Sequence, residues 1–209
     1  MVEELTAKKE REYRLIDRVL SGHHEDFHEL IAAYRRGVYL AAYDILQIAA
    51  DAEEVAQEAF LKAFRGLRGF RRESQFATWL FRIAVNEARM KLRRRREVPL
   101  ESVFPDDEEG DYTPTMLADW REIPSDALLR EETRRFVREA IAALPERYRE
   151  IITLRDVNGL NIAETAEILG ISTGNTKVRL LRARLLLRDL FVERTNRKGK
   201  AQSQRGATP

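Results

Sequence analysis

Residues 97–127 constrain the fold of this chain more than any other stretch. They hold four prolines (Pro99, Pro105, Pro114 and Pro124) and ten acids against one base, with the run Asp106-Asp107-Glu108-Glu109-Gly110-Asp111 near the centre. No helical period is visible before Met116. Proline removes a backbone donor and breaks helices, and acidic, proline-containing chain buries too little apolar surface to fold alone. Structureless loops of this length are uncommon inside one compact unit. The sequence therefore predicts two folded lobes joined by an acidic flexible linker.

Both lobes read as helices, which makes the fold class all-α: two small helical domains over residues 12–96 and 128–193. Residues 1–11 are left as an N-terminal extension that frays, and residues 194–209 as a basic, disordered tail. In the first lobe a helix is expected from near Glu12 to Leu20, stopped by Ser21-Gly22. A second is expected from Glu25 to Leu46, on apolar residues at steps of three and four. A third covers residues 51–67, with Asp51 as N-cap and Glu54 completing a capping box. A loop over Gly69–Gln75 then leads, with Ser74 as N-cap, into a helix over Phe76–Arg96. In the second lobe, one amphipathic helix ends before Pro145 and another spans Glu146 to Val157.

Charge is segregated although the net value is only +2. Residues 1–96 carry +4, the linker −9, residues 128–193 +2 and the tail +5. Two basic-leaning lobes around an acidic connector suit a polyanionic partner better than a uniformly solvated surface does. The chain has no cysteine, which excludes a disulfide scaffold and a cysteine-ligated zinc site. The N-terminus lacks the apolar core of a signal peptide, and no apolar run approaches the ~18 residues of a membrane span. A soluble, cytoplasmic protein without membrane insertion is expected. His24 and His28 stand four apart, but no third metal ligand accompanies them, so no metal is expected. Without a glycine-rich phosphate loop, a G-x-S-x-G or an H-E-x-x-H, no catalytic residues and no cofactor are expected, and the chain does not read as an enzyme.

Two stretches point to nucleic acid. Residues 71–96 hold nine bases against two acids. Arg82, Asn86, Arg89, Arg93 and Arg96 fall on one stripe of a helix that is apolar over most of its other faces. A cationic ridge with one amide at its middle suits a phosphate backbone, with Asn86 as a reader of a base edge. A solvated face is the alternative for the arginines, and core packing for Phe76 and Trp79. The second stretch is NIAETAEILGISTGNTKVRLLRARLLL. Asn161 and Glu164 form a capping box, Gly170 supplies a left-handed turn, and Ser172 caps the next helix. Helix, short glycine turn, helix is the helix-turn-helix pattern, whose second helix enters a major groove.

Taken in order, DAEEVAQEAFLKAFRGLRGF with FATWLFRIAVNEARMKLRRR, and then LPERYREIITLRDVNGLNIAETAEILGISTGNTKVRLLRARLLL, resemble regions 2 and 4 of bacterial RNA polymerase sigma factors of the extracytoplasmic-function class. The resemblance covers residues 12–96 and 128–190. It implies a monomeric factor that binds core RNA polymerase through the β′ clamp helices and the β flap, and directs it to promoter DNA of a specialised stress or envelope gene set. Glu54, Gln57, Glu58 and Leu61 match the polymerase-docking surface. Phe70, Arg71, Phe76, Arg82, Asn86, Arg89 and Arg93 match the part that captures an unstacked base of the −10 element. Ser172, Lys177, Val178, Arg179, Leu181 and Arg182 match the −35 reader. The resemblance further implies a cognate anti-sigma factor, and a place on the nucleoid when the factor is in holoenzyme.

Two departures stand out. Thr176 replaces a buried valine of the family pattern, and Val178 replaces a small polar residue on the DNA side, where it can touch a thymine methyl. A stand-alone helix-turn-helix regulator is the alternative. It leaves the first lobe without a role and normally dimerises to read half-sites.

Overall fold

The structure is a computed structural model, and it describes residues 2–96 and 131–205. The linker expected at 97–127 and the start of the second lobe at 128 lie outside the described residues. Among the described residues there is no strand.

The first lobe contains α1 (Val2–Leu20), α2 (Asp26–Ala32), α3 (Arg35–Leu46), α4 (Ala49–Gly66), a short 3-10 turn (Leu67–Gly69) and α5 (Phe76–Arg96). Its centre is the three-way packing of α3, α4 and α5. Ala42, Ala52, Ala59, Ala63, Ala84 and Ala88 are all fully or almost fully buried. A row of alanines lets these axes approach closely, and Val38, Leu80 and Phe76 fill the remaining space.

Several expected boundaries move. α1 begins at Val2, not near Glu12. Its first turns are rich in strong helix formers, and Lys8 faces Glu12 at 4.0 Å across one turn. The helix expected over 25–46 is two helices meeting at a corner. Tyr34, at that corner, packs edge-on against Phe76 (5.8 Å) and Phe81 (6.4 Å). Its hydroxyl donates to the Glu12 carboxylate. Period alone reads through such a corner, because both arms turn apolar residues inward. α4 starts at Ala49 with Ile48 as N-cap, so Asp51 lies inside the first turn. There it still complements the positive helix end, and it also binds Lys91 at 3.2 Å. α5 starts at Phe76, so the cap position is Gln75, one residue past Ser74; the Gln75 carbonyl accepts from the Trp79 N–H at 3.2 Å.

The second lobe comprises α6 (Glu131–Ala143), α7 (Glu146–Ile152) continuing as a π turn (Thr153–Val157), α8 (Ile162–Leu169) and α9 (Thr173–Arg205). Asp156, on the π turn, takes a two-pronged hydrogen bond from Arg184 of α9 at 2.8 and 3.1 Å. α9 continues through residues 194–205, where a disordered tail is expected. The segment has one glycine, Gly199, no proline, and mostly Arg, Lys, Gln and Ala, so nothing local ends the helix.

The lobes pack on each other, α5 against α8 and α3 against α7 with its π turn. Gly37 lies at the second contact. A Cβ there would stand 2.2 Å from the Asn158 side-chain oxygen, closer than any packed atom can be.

Candidate nucleic-acid interface

The basic stripe of α5 forms as the spacing requires, but it is not the open strip that the sequence predicts. Asn86 is exposed. Four residues before it, Arg82 reaches across to Glu167 of α8 at 2.7 Å. Three residues after it, Arg89 binds Glu150 of α7 through Nε at 3.2 Å and Nη2 at 3.0 Å. Arg89 also donates to the Leu169 carbonyl at 3.4 Å. The second lobe therefore covers both flanks of Asn86. Glu150 and Glu167 are residues that sequence reasoning missed. Each looks like an ordinary helix carboxylate, and only the fold brings it to the ridge.

The loop before α5 is anchored by aromatic rings. Phe70 is 8% exposed and Phe76 is 0% exposed. Phe70 lies 5.9 Å from Phe76 and 5.2 Å from Trp79. Both phenylalanines were expected on the DNA side, and the structure places both in the core. Steps of three and four from Phe76 to Leu80 and Ile83 put it on the packed face of α5. Trp79 is half-buried over Gly66, in keeping with a packing role. Arg71 is exposed and Arg93 half-exposed.

On α4, Glu54, Gln57 and Leu61 are exposed and Glu58 half-exposed, one face at helical spacing. Leu61 borders an apolar groove of about 810 Å³ between α2 and α4, which Phe27, Phe60 and Phe64 also line. Glu54 binds Lys91 at 2.6 Å. That hydrogen bond, with Asp51 beside it, outweighs desolvation and holds the Lys91 ammonium above the usual lysine range. His24 lies edge-on to Phe64, and His28 meets Arg35 at 3.4 Å. Among the described residues no three His, Cys, Asp or Glu side chains group as a metal site would.

The helix-turn-helix forms as its local chemistry predicts. Asn161 accepts from the Glu164 N–H at 2.9 Å while the Glu164 carboxylate accepts from the Asn161 N–H at 2.7 Å. Gly170 takes φ +71°, and Ser172 Oγ accepts from the Asn175 N–H at 3.1 Å. Thr176 is buried, and its hydroxyl donates to the Ser172 carbonyl at 2.9 Å, so a polar side chain is satisfied in an apolar position. Ser172, Lys177 and Val178 are exposed, and Leu181 and Arg182 half-buried. Arg179 departs from the expectation of a DNA-facing side chain. It is 8% exposed, because it stands three after buried Thr176 and four before buried Ala183. Among the described residues no helix is long and apolar enough to cross a membrane.

Comparison with known proteins accounts for both lobes. Residues 30–98 match the model of sigma-70 region 2, and residues 135–187 that of sigma-70 region 4. The RNA polymerase sigma-H factor of Pseudomonas aeruginosa is 37% identical over 180 residues, 84% of this chain and 91% of that one. The ECF RNA polymerase sigma-E factor of Haemophilus influenzae is 35% identical over 194 residues, 90% of this chain and 96% of that one. The Escherichia coli K12 sigma-E factor is 36% identical over 171 residues, 81% and 88%. Among solved structures, CnrH in complex with the cytosolic domain of CnrY has a TM-score of 0.57 at 25% identity, covering 86% of this chain and 96% of that one. The sigma factor RpoE with the anti-sigma factor NepR, from Bartonella quintana, also has a TM-score of 0.57 at 25% identity, covering 80% and 97%.

Proposed function

Because the chain belongs to the extracytoplasmic-function group of the sigma-70 family, we propose that its first lobe docks on core RNA polymerase and opens the −10 element while its second lobe reads the −35 element. The observation that carries this reading is Asn86: an exposed amide midway along an arginine stripe, in a chain that also holds a capped helix-turn-helix. Base capture needs a neutral donor and acceptor among cationic walls that replace lost stacking. On this reading Arg71, Arg82, Arg89 and Arg93 hold the backbone, and Phe70 and Phe76 shape the loop from behind. Glu54, Gln57, Glu58 and Leu61 are the docking face for the β′ clamp helices, and Ser172, Lys177, Val178, Leu181 and Arg182 face the major groove.

An anti-sigma partner is supported by the solved structure above of the sigma factor RpoE in complex with the anti-sigma factor NepR. The factor is non-catalytic and acts in the cytoplasm on the nucleoid. Because Arg82 and Arg89 are engaged by the second lobe, the lobes must separate before the ridge meets a promoter. A stand-alone regulator is disfavoured, since it gives the first lobe nothing to do.

The test is in vitro transcription with sigma-free core polymerase on a genomic fragment library, with transcript 5′ ends sequenced. Discrete starts that share two spaced upstream motifs are expected. A folded protein that forms no complex with core on gel filtration overturns the proposal. Asn86→Ala is expected to impair promoter opening with polymerase binding intact, and Glu58→Arg to weaken assembly.

A further inference from the structure

The loop between the 3-10 turn and α5 is held from two sides. Phe70 fixes it from within, against Phe76 and Trp79. Arg72 fixes it from outside. Its backbone takes φ +61°, a conformation that costs an L residue with a Cβ and that arginine, unlike Asn or Asp, does not ease by local side-chain bonding. Its guanidinium forms an ion pair with Asp17 and lies 5.0 Å above the Tyr13 ring. Tyr13 and Asp17 stand one turn apart on α1, outside the residues that match the region 2 model.

An ion pair between side chains 37% and 61% exposed is weak, and so is an exposed cation–π contact. The backbone cost that they offset is of the same order. The loop conformation is therefore balanced, and losing either contact is enough to release it. A second consequence concerns charge. Held by Asp17, Arg72 is neutralised beside the −10 site. Released, it becomes a free cation that attracts any phosphate, whatever the base.

We propose that Tyr13 and Asp17 of α1 are positioning residues that act through Arg72 to set the shape of the −10 capture loop and hence its base preference. The proposal rests on the reading that this loop receives an unstacked base. With Arg72 drawn back to α1, the exposed side chains Arg71, Glu73 and Gln75 form the rim that a base would meet.

The test uses holoenzyme assembled from the full chain and core polymerase, on a promoter library randomised separately across the −10 and −35 elements. Asp17→Asn and Tyr13→Leu leave buried Ile16 and Val19 of α1 in place, and Asp17→Glu is the conservative rescue. In both loss variants, preference at the captured −10 position is expected to fall by about threefold to tenfold, the size of one or two weak contacts. Preference at −35 and assembly with core should be unchanged, and Asp17→Glu should restore discrimination. A merely structural role would lower transcription from all promoters alike. Full −10 preference in Asp17→Asn overturns the proposal, as does an equal loss at −35. Asn86→Ala separates the two layers: if it alters −10 preference while Asp17→Asn does not, only the brace fails. If neither variant alters it, base capture by this loop fails, and the brace with it.

Discussion

Arg89 of α5 and Glu150 of α7, 61 residues apart in the chain, close on each other as a two-pronged ion pair with side chains only 14% and 4% exposed. The pair joins the arginine ridge of α5 to the lobe that carries the helix-turn-helix, so its strength governs how often that ridge is free for the promoter role proposed above. Removing one partner of a buried pair typically costs about 3–5 kcal/mol when the other charge stays buried. Separation of the lobes, which the proposed function requires, would instead return Arg89 to water. Glu150→Ala should thus open the molecule instead of unfolding it. The free variant is expected to bind a −10 non-template oligonucleotide about tenfold more tightly than the parent, more steeply so at low salt. The chain has no cysteine, so a dye pair on two introduced cysteines can report the lobe separation. An unchanged dye distance with unchanged oligonucleotide affinity would mean that Glu150 does not cover the ridge in solution.

Closure should also respond to pH through Asp44, at the end of α3. It is 6% exposed, accepts a hydrogen bond from the Thr153 hydroxyl, and gives its backbone carbonyl to Arg149 Nε at 2.8 Å. Burial pushes its carboxyl up to about 6, against the lowering effect of the Thr153 bond and the Arg149 charge, while nearby Glu150 adds to the rise. An acid raised in the closed state binds more protons there than in the open chain. The contact is therefore strongest below about pH 4, weakens as pH rises from about 4 to about 6, and is level above that. The full swing is of order 3 kcal/mol. Asp44→Asn keeps a hydrogen-bond acceptor without the charge, and should flatten the profile and favour the closed form at pH 7.5. A dye-distance titration from pH 4.5 to 8 checks this; a flat profile in the parent chain would rule it out.

Gly37 gives a steric counterpart. Alanine favours a helix interior by about 1 kcal/mol over glycine. In Gly37→Ala, however, the new Cβ meets the Asn158 oxygen at 2.2 Å and the Phe81 ring at 2.9 Å. The ring must give slightly within its own lobe, and the Asn158 side chain must either give up its donation to the Thr153 carbonyl at 2.9 Å or move away with its turn. Opened lobes with unchanged helix content are expected, as read by small-angle scattering and circular dichroism. A compact Gly37→Ala protein would show that the turn can rearrange without the lobes parting.

What the sequence reveals here divides by range. The Asn161–Glu164 box, the turn at Gly170 and the Ser172 cap are decided within four residues, and each forms as its spacing predicts. The α2–α3 corner at Tyr34 is not decided locally, because the apolar period continues through it while the ring answers to Phe76 and Phe81. The arginine stripe is legible as a stripe. That Arg82 and Arg89 are occupied is not, since their partners lie 85 and 61 residues away. Phe70, Phe76 and Arg179 show the same limit within single elements: a family pattern marks a position near the nucleic acid, and only packing tells which way the side chain turns.

Arg179 and Lys177 allow that last distinction to be measured. Lys177 is exposed at the start of α9, where on the proposed reading a cation would meet phosphate or a base edge. Arg179 is buried, between the Thr176 and Ala183 positions. Lys177→Ala should leave the melting temperature unchanged and weaken −35 duplex binding by the full chain. Its salt dependence should be shallower by about one unit in the slope of log K against log salt if the contact is to phosphate. Arg179→Ala should instead lower the melting temperature by several degrees, as loss of a buried, partnered side chain does, with the salt slope kept. Thermal melts and binding titrations at three salt concentrations on both variants decide the matter. The reverse pattern, a stable Arg179→Ala protein with a reduced slope, would put Arg179 on the DNA and require α9 to turn about its axis when the lobes part.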